Sequence, residues 1–120
     1  MQYLLLIYNN EKAWADMSEE QQGKAFQGYM DFTDGIKKSG NYIGGEALQP
    51  IATATTVRRK AGKTVTTDGP FAETKEQLGG YYLIEADSLD EAIGWAAKIP
   101  GARHGSIEVR PVMVFEGDGS

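Results

Sequence analysis

The order of elements along the chain predicts an α+β protein: strand, helix, strand, hairpin, strand, helix, strand, with the strands antiparallel. Three observations carry this. Two stretches pair a serine with Gln or Glu three places on, just ahead of apolar residues at helical spacing, the start signal of a capped amphipathic helix. Short apolar or β-branched runs lie between and around them, and glycine or proline stands at most junctions. With the hairpin set aside, the order is βαβ twice over, the ferredoxin-like βαββαβ arrangement with an inserted β-hairpin.

Each element has its own warrant. Residues 2–8 are apolar at nearly every position and form the first strand. The first helix is expected at 18–39: Ser18 with Gln21 makes a capping box, and Glu19 and Glu20 suit the positive helix start. Ala25, Tyr29, Phe32 and Ile36 are its buried stripe, flanked by Phe26, Met30 and Thr33, and Lys37, Lys38 and Gly40 stop it. Residues 41–48 are a second strand, interrupted by Gly44-Gly45 and closed by Pro50. Residues 52–59 and 63–67 alternate small or β-branched residues with polar ones, and Ala61-Gly62 turns the hairpin between them with the glycine at positive φ. A strand at 80–86 follows. Ser88 and Glu91 then open the second helix as another capping box, burying Leu89, Ala92, Ile93, Ala96 and Ala97 with Trp95 at the border. Pro100-Gly101 ends it, and 107–115 is the last strand. Residues 1–115 make a single domain, and the polar, Gly-rich 116–120 is expected to fray.

The strands have a property their order does not require. Tyr3, Leu5 and Ile7 face one way and Leu4, Leu6 and Tyr8 the other; Tyr81 and Leu83 oppose Tyr82 and Ile84; Val109, Met113 and Phe115 oppose Val112 and Val114. Two helices cover only one face of such a sheet, and an antiparallel sheet with a wet face alternates to polar residues there. Leaving ~500 Å² of apolar area in water would forfeit about 12 kcal/mol, comparable to a domain's whole stability. The second face is therefore expected to meet a second copy, as a homodimer enclosing a cavity between two sheets.

Composition narrows the function. The 120 residues contain no cysteine, which excludes disulfides, thiolate metal sites and cysteine nucleophiles. A net charge of −5 argues against nucleic acid as a partner, because phosphate binding needs a basic face. Arg58-Arg59-Lys60 and Lys63 form one basic cluster, expected at a solvated hairpin tip. No apolar run approaches the roughly 20 residues that span a bilayer. The first residues lack a secretory signal's basic head and cleavage site, so a cytoplasmic location is expected.

The chemistry concentrates in Asp68-Gly69-Pro70-Phe71-Ala72-Glu73-Thr74-Lys75-Glu76, a turn-forming loop with more charge than turning requires. Asp68 is a candidate general base, or else an Asx-turn residue. Glu73, Lys75 and Glu76 either frame a pocket mouth or pair among themselves. Arg110, set among Val109, Pro111, Val112 and Met113, is an anchor for an anionic substrate or an ion-pair partner of Glu108, Glu85 or Glu46. His104 is the sole histidine, the residue type that titrates near neutrality, in a loop before the last strand. Gly44-Gly45 and Gly79-Gly80 mark bulges or close approach. Serine elbows, phosphate loops, dinucleotide fingerprints and zinc spacings are absent, so no metal or cofactor is expected.

Gly44-Gly45-Glu46-Ala47-Leu48-Gln49-Pro50, the loop from Asp68 to Glu76, Gly79-Gly80-Tyr81-Tyr82 and Val109-Arg110-Pro111-Val112 together resemble the DGPF branch of the YCII-related domain proteins. The resemblance implies a ferredoxin-like fold assembling as a dimeric α/β barrel. It implies suspected enzymatic activity through a His–Asp pair, one related branch eliminating chloride from a chlorinated hydroxyhydroquinone. This chain departs from that pattern: residues 18–39 contain no histidine, and the acid expected before a proline falls near Ile99. The site residues proposed on this chain's own pattern are Asp68, His104 and Glu73 for proton transfer, and Arg110, Lys75, Glu46 and Tyr81 for binding. The expectation is a cofactor-independent acid–base enzyme acting on a small anionic or phenolic compound. The alternative is a ligand-binding or regulatory dimer, since the resemblance also implies a link to an extracytoplasmic-function sigma factor.

Overall fold

The strands and helices follow the expected order, with one short helix added. The structure is a computed structural model that describes residues 1–115, so the tail expected to fray lies outside the described residues. Along the chain run β1 (Gln2–Asn9), α1 (Glu11–Ala15), α2 (Glu19–Ser39), β2 (Tyr42–Ala47), β3 (Thr55–Lys60), β4 (Lys63–Asp68), β5 (Gln77–Glu85), α3 (Leu89–Lys98) and β6 (Ser106–Pro111). Single 3-10 turns occur at Ile51–Thr53 and Pro100–Arg103. The addition is α1, where Asn10 caps the start by accepting from the Ala13 amide at 3.1 Å. Its five residues are too few to show an apolar period.

β2, β5, β1 and β6 form one antiparallel sheet in that order, and β3–β4 is a separate two-stranded hairpin. The core lies between the sheet and α2 and α3. Tyr3, Leu5, Ile7 and Ile84 from the strands meet Phe32 and Ile36 of α2, Ala92 and Ala96 of α3, and Ile99. Leu5, Ile36, Ile84 and Ile99 are almost wholly removed from water. Phe32 packs edge-on against Tyr82 at 5.0 Å and Trp95 at 6.2 Å, which closes the seam between the two helices and the sheet. Among the described residues, no helix is long and apolar enough to cross a membrane.

The local signals act as their chemistry dictates. Ser18 and Gln21 form the reciprocal capping box, at 3.1 and 2.9 Å. The hairpin turns on Ala61 and Gly62, both at positive φ, the geometry that matches strand twist in a two-residue turn. Gly45 and Gly80 sit where β2 and β5 run together. A Cβ on Gly45 would lie 2.7 Å from the Tyr81 carbonyl oxygen, and one on Gly80 2.9 Å from that of Glu46, so backbone approach accounts for both. Gly79 is the extra residue opposite the register shift between Ile7 and Tyr8, a β-bulge.

Three expectations are corrected. Ser88 caps α3 by accepting from the Glu91 amide at 3.2 Å, but the Glu91 carboxylate accepts from Asn41 Nδ2 at 2.8 Å instead of returning to the cap. The buried side of α3 is rotated from the expected stripe: Ala92, Ala96 and Ile99 face inward with Trp95 half-buried, whereas Leu89, Ile93 and Ala97 are exposed. Small alanines let the helix lie close on the sheet, and that contact sets its rotation. Finally, β6 ends at Pro111 instead of 115, because β1, its neighbour, runs out there. The Val112 amide makes one more bond, to the Gln2 carbonyl at 2.9 Å, so Met113, Val114 and Phe115 lie past the sheet and are exposed.

Candidate functional site

Register decides which side chains share the face that the helices leave open, since directly paired residues of antiparallel strands point the same way. Glu46, Tyr81, Leu6 and Glu108 form one row across all four strands, and Gly44, Leu83, Leu4 and Arg110 form the next. Tyr8 lies in a third row between Leu78 and Ser106. The apolar members run down the middle, and the charged ones stand at the two edges. Leu4, Leu6, Tyr81 and Leu83 are only half-buried.

On β6, Arg110 presents Nε to Glu108 Oε1 at 3.3 Å and a terminal nitrogen to Oε2 at 3.5 Å. The Tyr8 hydroxyl donates to the same Oε1 at 3.4 Å. One carboxylate is thus held between a guanidinium and a phenol. Next to it, the Ser106 hydroxyl donates to Glu76 Oε1 at 2.8 Å.

Tyr8 also lines a cavity of about 470 Å³ at this end of the sheet. One wall is the segment after β2, including Leu48, Pro50 and Ile51; the other is Pro70, Phe71 and Ala72; Leu78 floors it beside Glu76 and Gln77. A largely apolar hollow with a few polar groups in its lining, here Tyr8, Gln49, Glu76 and Gln77, is the usual form of a small-molecule site. Gly69 makes the turn into the second wall at φ +100, a value few side chains tolerate. Its amide donates to the Ala54 carbonyl at 2.7 Å, and its carbonyl accepts from the Thr56 hydroxyl at 2.8 Å. The first wall is tied to the floor through α1. The Glu11 carboxylate accepts from the Ile51 amide at 3.1 Å, and the Glu11 amide donates to Gln77 Oε1 at 2.9 Å.

Of the residues proposed from the sequence, Glu46, Tyr81 and Arg110 share the open face, with Glu46 beside Tyr81 at one edge and Arg110 at the opposite edge. Arg110 takes Glu108 as its partner; Glu85 pairs with the N-terminal ammonium at 3.0 Å. Asp68 is the last residue of β4, paired with Thr55 and exposed. Glu73 and Lys75 are exposed and alternate with pocket-lining Ala72, Thr74 and Glu76. His104 follows the second 3-10 turn, exposed, its amide donating to the Gly101 carbonyl at 3.2 Å. Tyr8, Glu108 and Glu11 carry the geometry without a motif of their own. Only the pairing of β1 with β6 brings the first two together.

Two half-buried phenols lie on the covered side. Burial pushes the pKa of Tyr29 up, against a lowering hydrogen bond with the Gly101 backbone. Burial likewise raises Tyr82, opposed by its 2.7 Å hydrogen bond with the Thr33 hydroxyl. Both remain neutral and structural. Among the described residues no group of three His, Asp or Glu is placed to hold a metal ion.

A family model for the YCII-related domain matches residues 1–116, nearly the entire chain. The chain belongs to the YCII-related domain family. An uncharacterised protein of Rhizobium meliloti (strain 1021) is 38% identical over 118 residues, covering 97% of this chain and 95% of that one. Among solved structures, 5-chloro-2-hydroxyhydroquinone dehydrochlorinase (TftG) from Burkholderia phenoliruptrix AC1100, in complex with 2,5-dihydroxybenzoquinone, aligns with a TM-score of 0.53. That alignment covers 94% of each chain at 14% identity, so it speaks to the fold alone. The fold is that of the dimeric α/β barrel proteins, as the resemblance implied.

Proposed function

We propose that this YCII-related protein is a homodimeric, cofactor-independent acid–base enzyme acting on a small, flat phenolic or anionic compound in the Tyr8 cavity. One observation carries the reading: Tyr8 both lines an apolar hollow of ring-binding size and donates to a carboxylate that Arg110 holds. A ring stacks against Phe71, Pro70 and Leu78, with its hydroxyl or carbonyl oxygen at the Tyr8 phenol. Tyr8 exchanges a proton with the ligand, Glu108 takes it up one hydrogen bond away, and Arg110 compensates the charge that develops. A second copy on the open face excludes water, which strengthens each of these interactions. Glu46 and Tyr81, on the open face, then meet that copy. Asp68, Glu73, Lys75 and His104 are exposed in one chain, so they enter the chemistry only where the second copy covers them.

The complex of the structurally similar dehydrochlorinase supports 2,5-dihydroxybenzoquinone as the first probe. Titration should give saturable binding by the wild type, and Tyr8→Phe should weaken it about tenfold, the worth of one well-used hydrogen bond. No saturation by the wild type, or equal affinity in the variant, overturns the site. Chloride release from 5-chloro-2-hydroxyhydroquinone then tests turnover, with Glu108→Gln expected to lose about 10² or more in rate. Saturable binding of the probe without turnover favours the second reading, a regulatory dimer with a protein partner. The surface that favours it is Phe26 and Met30, exposed one turn apart on α2, with Phe26 edge-on to Trp14 at 5.4 Å.

A further inference from the structure

We propose that the β3–β4 hairpin is an arm that clasps a second copy of this chain, its basic face lying on that copy's acidic surface. The inference rests on the homodimer of the preceding reading and adds what the arm does in it.

The arm has almost no support from its own chain. Of residues 55–68, only Thr56 is half-buried, and the rest are exposed. The described molecule measures 49 × 48 × 19 Å, so the arm extends in the plane of the sheet instead of folding back over it. Its radius of gyration of 16.6 Å exceeds the roughly 13–14 Å of a compact chain this long. A lone two-stranded hairpin is marginally stable in water. This one is nonetheless well formed, with the Arg59 guanidinium bridging the tip to the Thr64 hydroxyl and the Gly62 carbonyl, both at 2.9 Å.

Register divides the arm into two unlike faces. Val57, Arg59, Thr64 and Thr66 point to one side; Arg58, Lys60, Lys63 and Val65 point to the other. Lys60 and Lys63 are paired directly, and like charges opposite one another weaken a hairpin. Three cations crowd one small face, and the arm's one acid, Asp68, points to the other side with Val57 and Thr66. An anionic surface against that face removes the penalty.

A second copy supplies that surface. The arm, residues 55–68, carries four basic residues and one acid, a net +3, and the whole chain carries −5, so the remainder carries −8. The copy stacked on the open sheet face lies beside an arm that already projects in the sheet's plane. Charge segregated this way also sets register, because two arms or two bodies repel and arm meets body. The arm springs directly from the cavity wall, since the bonds of Gly69 to Ala54 and Thr56 tie its base to Pro70. Clasping therefore holds that wall in place.

The test measures dimer dissociation of the full chain by sedimentation at about 0.05 M and about 1 M salt, where screening lengths differ severalfold. The combined variant Arg58→Glu, Lys60→Glu, Lys63→Glu should raise the dissociation constant at least roughly tenfold at low salt, with the gap shrinking at high salt. A wild-type dimer that the variant leaves equally tight in both salts overturns the arm and leaves the dimer standing. A wild type that is monomeric throughout removes both. Should the triple variant fail to fold, a spin label decides: the chain has no cysteine, so Val65→Cys labels the basic face alone. An immobilised label that is freed on dilution into the monomer supports the clasp, and a label free in the dimer overturns it.

Discussion

The two faces of one sheet are built from alternate residues of the same strands, yet they have different physics. On the covered face Tyr3, Leu5, Ile7 and Ile84 are buried against helices without a charged group among them. On the open face Leu4, Leu6 and Leu83 are half-buried, and Glu46, Glu108 and Arg110 flank them. The covered face folds the chain. The open face is too apolar for water and too charged for a core, the composition of a surface that meets another surface around a polar site.

The sharpest way to break this comparison is to truncate neighbours. Leu5→Ala should cost roughly 2–5 kcal/mol by urea unfolding, because Leu5 is fully enclosed and its loss leaves a cavity. Leu6→Ala, one residue along, should cost less in the monomer, since its side chain is already in part solvated. Leu6→Glu should instead dissociate the proposed dimer while the monomer keeps its circular dichroism. Equal losses at Leu5 and Leu6, measured at dilutions where the chain is monomeric, would put the two faces on the same footing within one chain and remove the argument for a second copy.

The same contrast explains what could be read from the sequence. Local signals were legible: the reciprocal Ser18–Gln21 box, the Tyr29–Phe32–Ile36 stripe and the Ala61-Gly62 turn depend only on residues within a turn or two. The wall made by Pro70, Phe71 and Ala72 was legible in kind, because its turn chemistry is dense. Non-local features were not. Apolarity cannot tell Ala92 and Ala96 from Leu89 and Ile93, and packing against the sheet chose the smaller pair. β6 stops where its neighbour stops, which no residue in 112–115 announces. Tyr8 and Glu108 are 100 positions apart and meet only through strand register, so Tyr8 reads as one more apolar strand residue.

A smaller effect separates the covering layer from the open face. Ser18→Ala removes a cap satisfied in both directions and should cost about 1 kcal/mol, seen as a lower urea midpoint. Ser88→Ala should cost less, because the Glu91 carboxylate already serves Asn41 and only one cap bond is lost. Neither cap touches the cavity, so affinity for 2,5-dihydroxybenzoquinone should be unchanged in both variants.

The smallest effect appears only in alkali. Tyr82 loses its proton near pH 10 when unfolded but later when folded, because burial raises its pKa there. Between those two values the unfolded chain has given up a proton that the folded chain keeps, so stability falls as pH rises through this window. Tyr29, raised by burial as well, adds to the same limb. Tyr82→Phe should be less stable than wild type at neutral pH by about 1 kcal/mol, having lost the bond with Thr33. Its alkaline limb should be shallower, so the two stability curves approach one another above pH ~10. Parallel curves would mean that the Tyr82 phenol ionises as readily on the covered face as in water, and that the helices do not seal that side of the sheet.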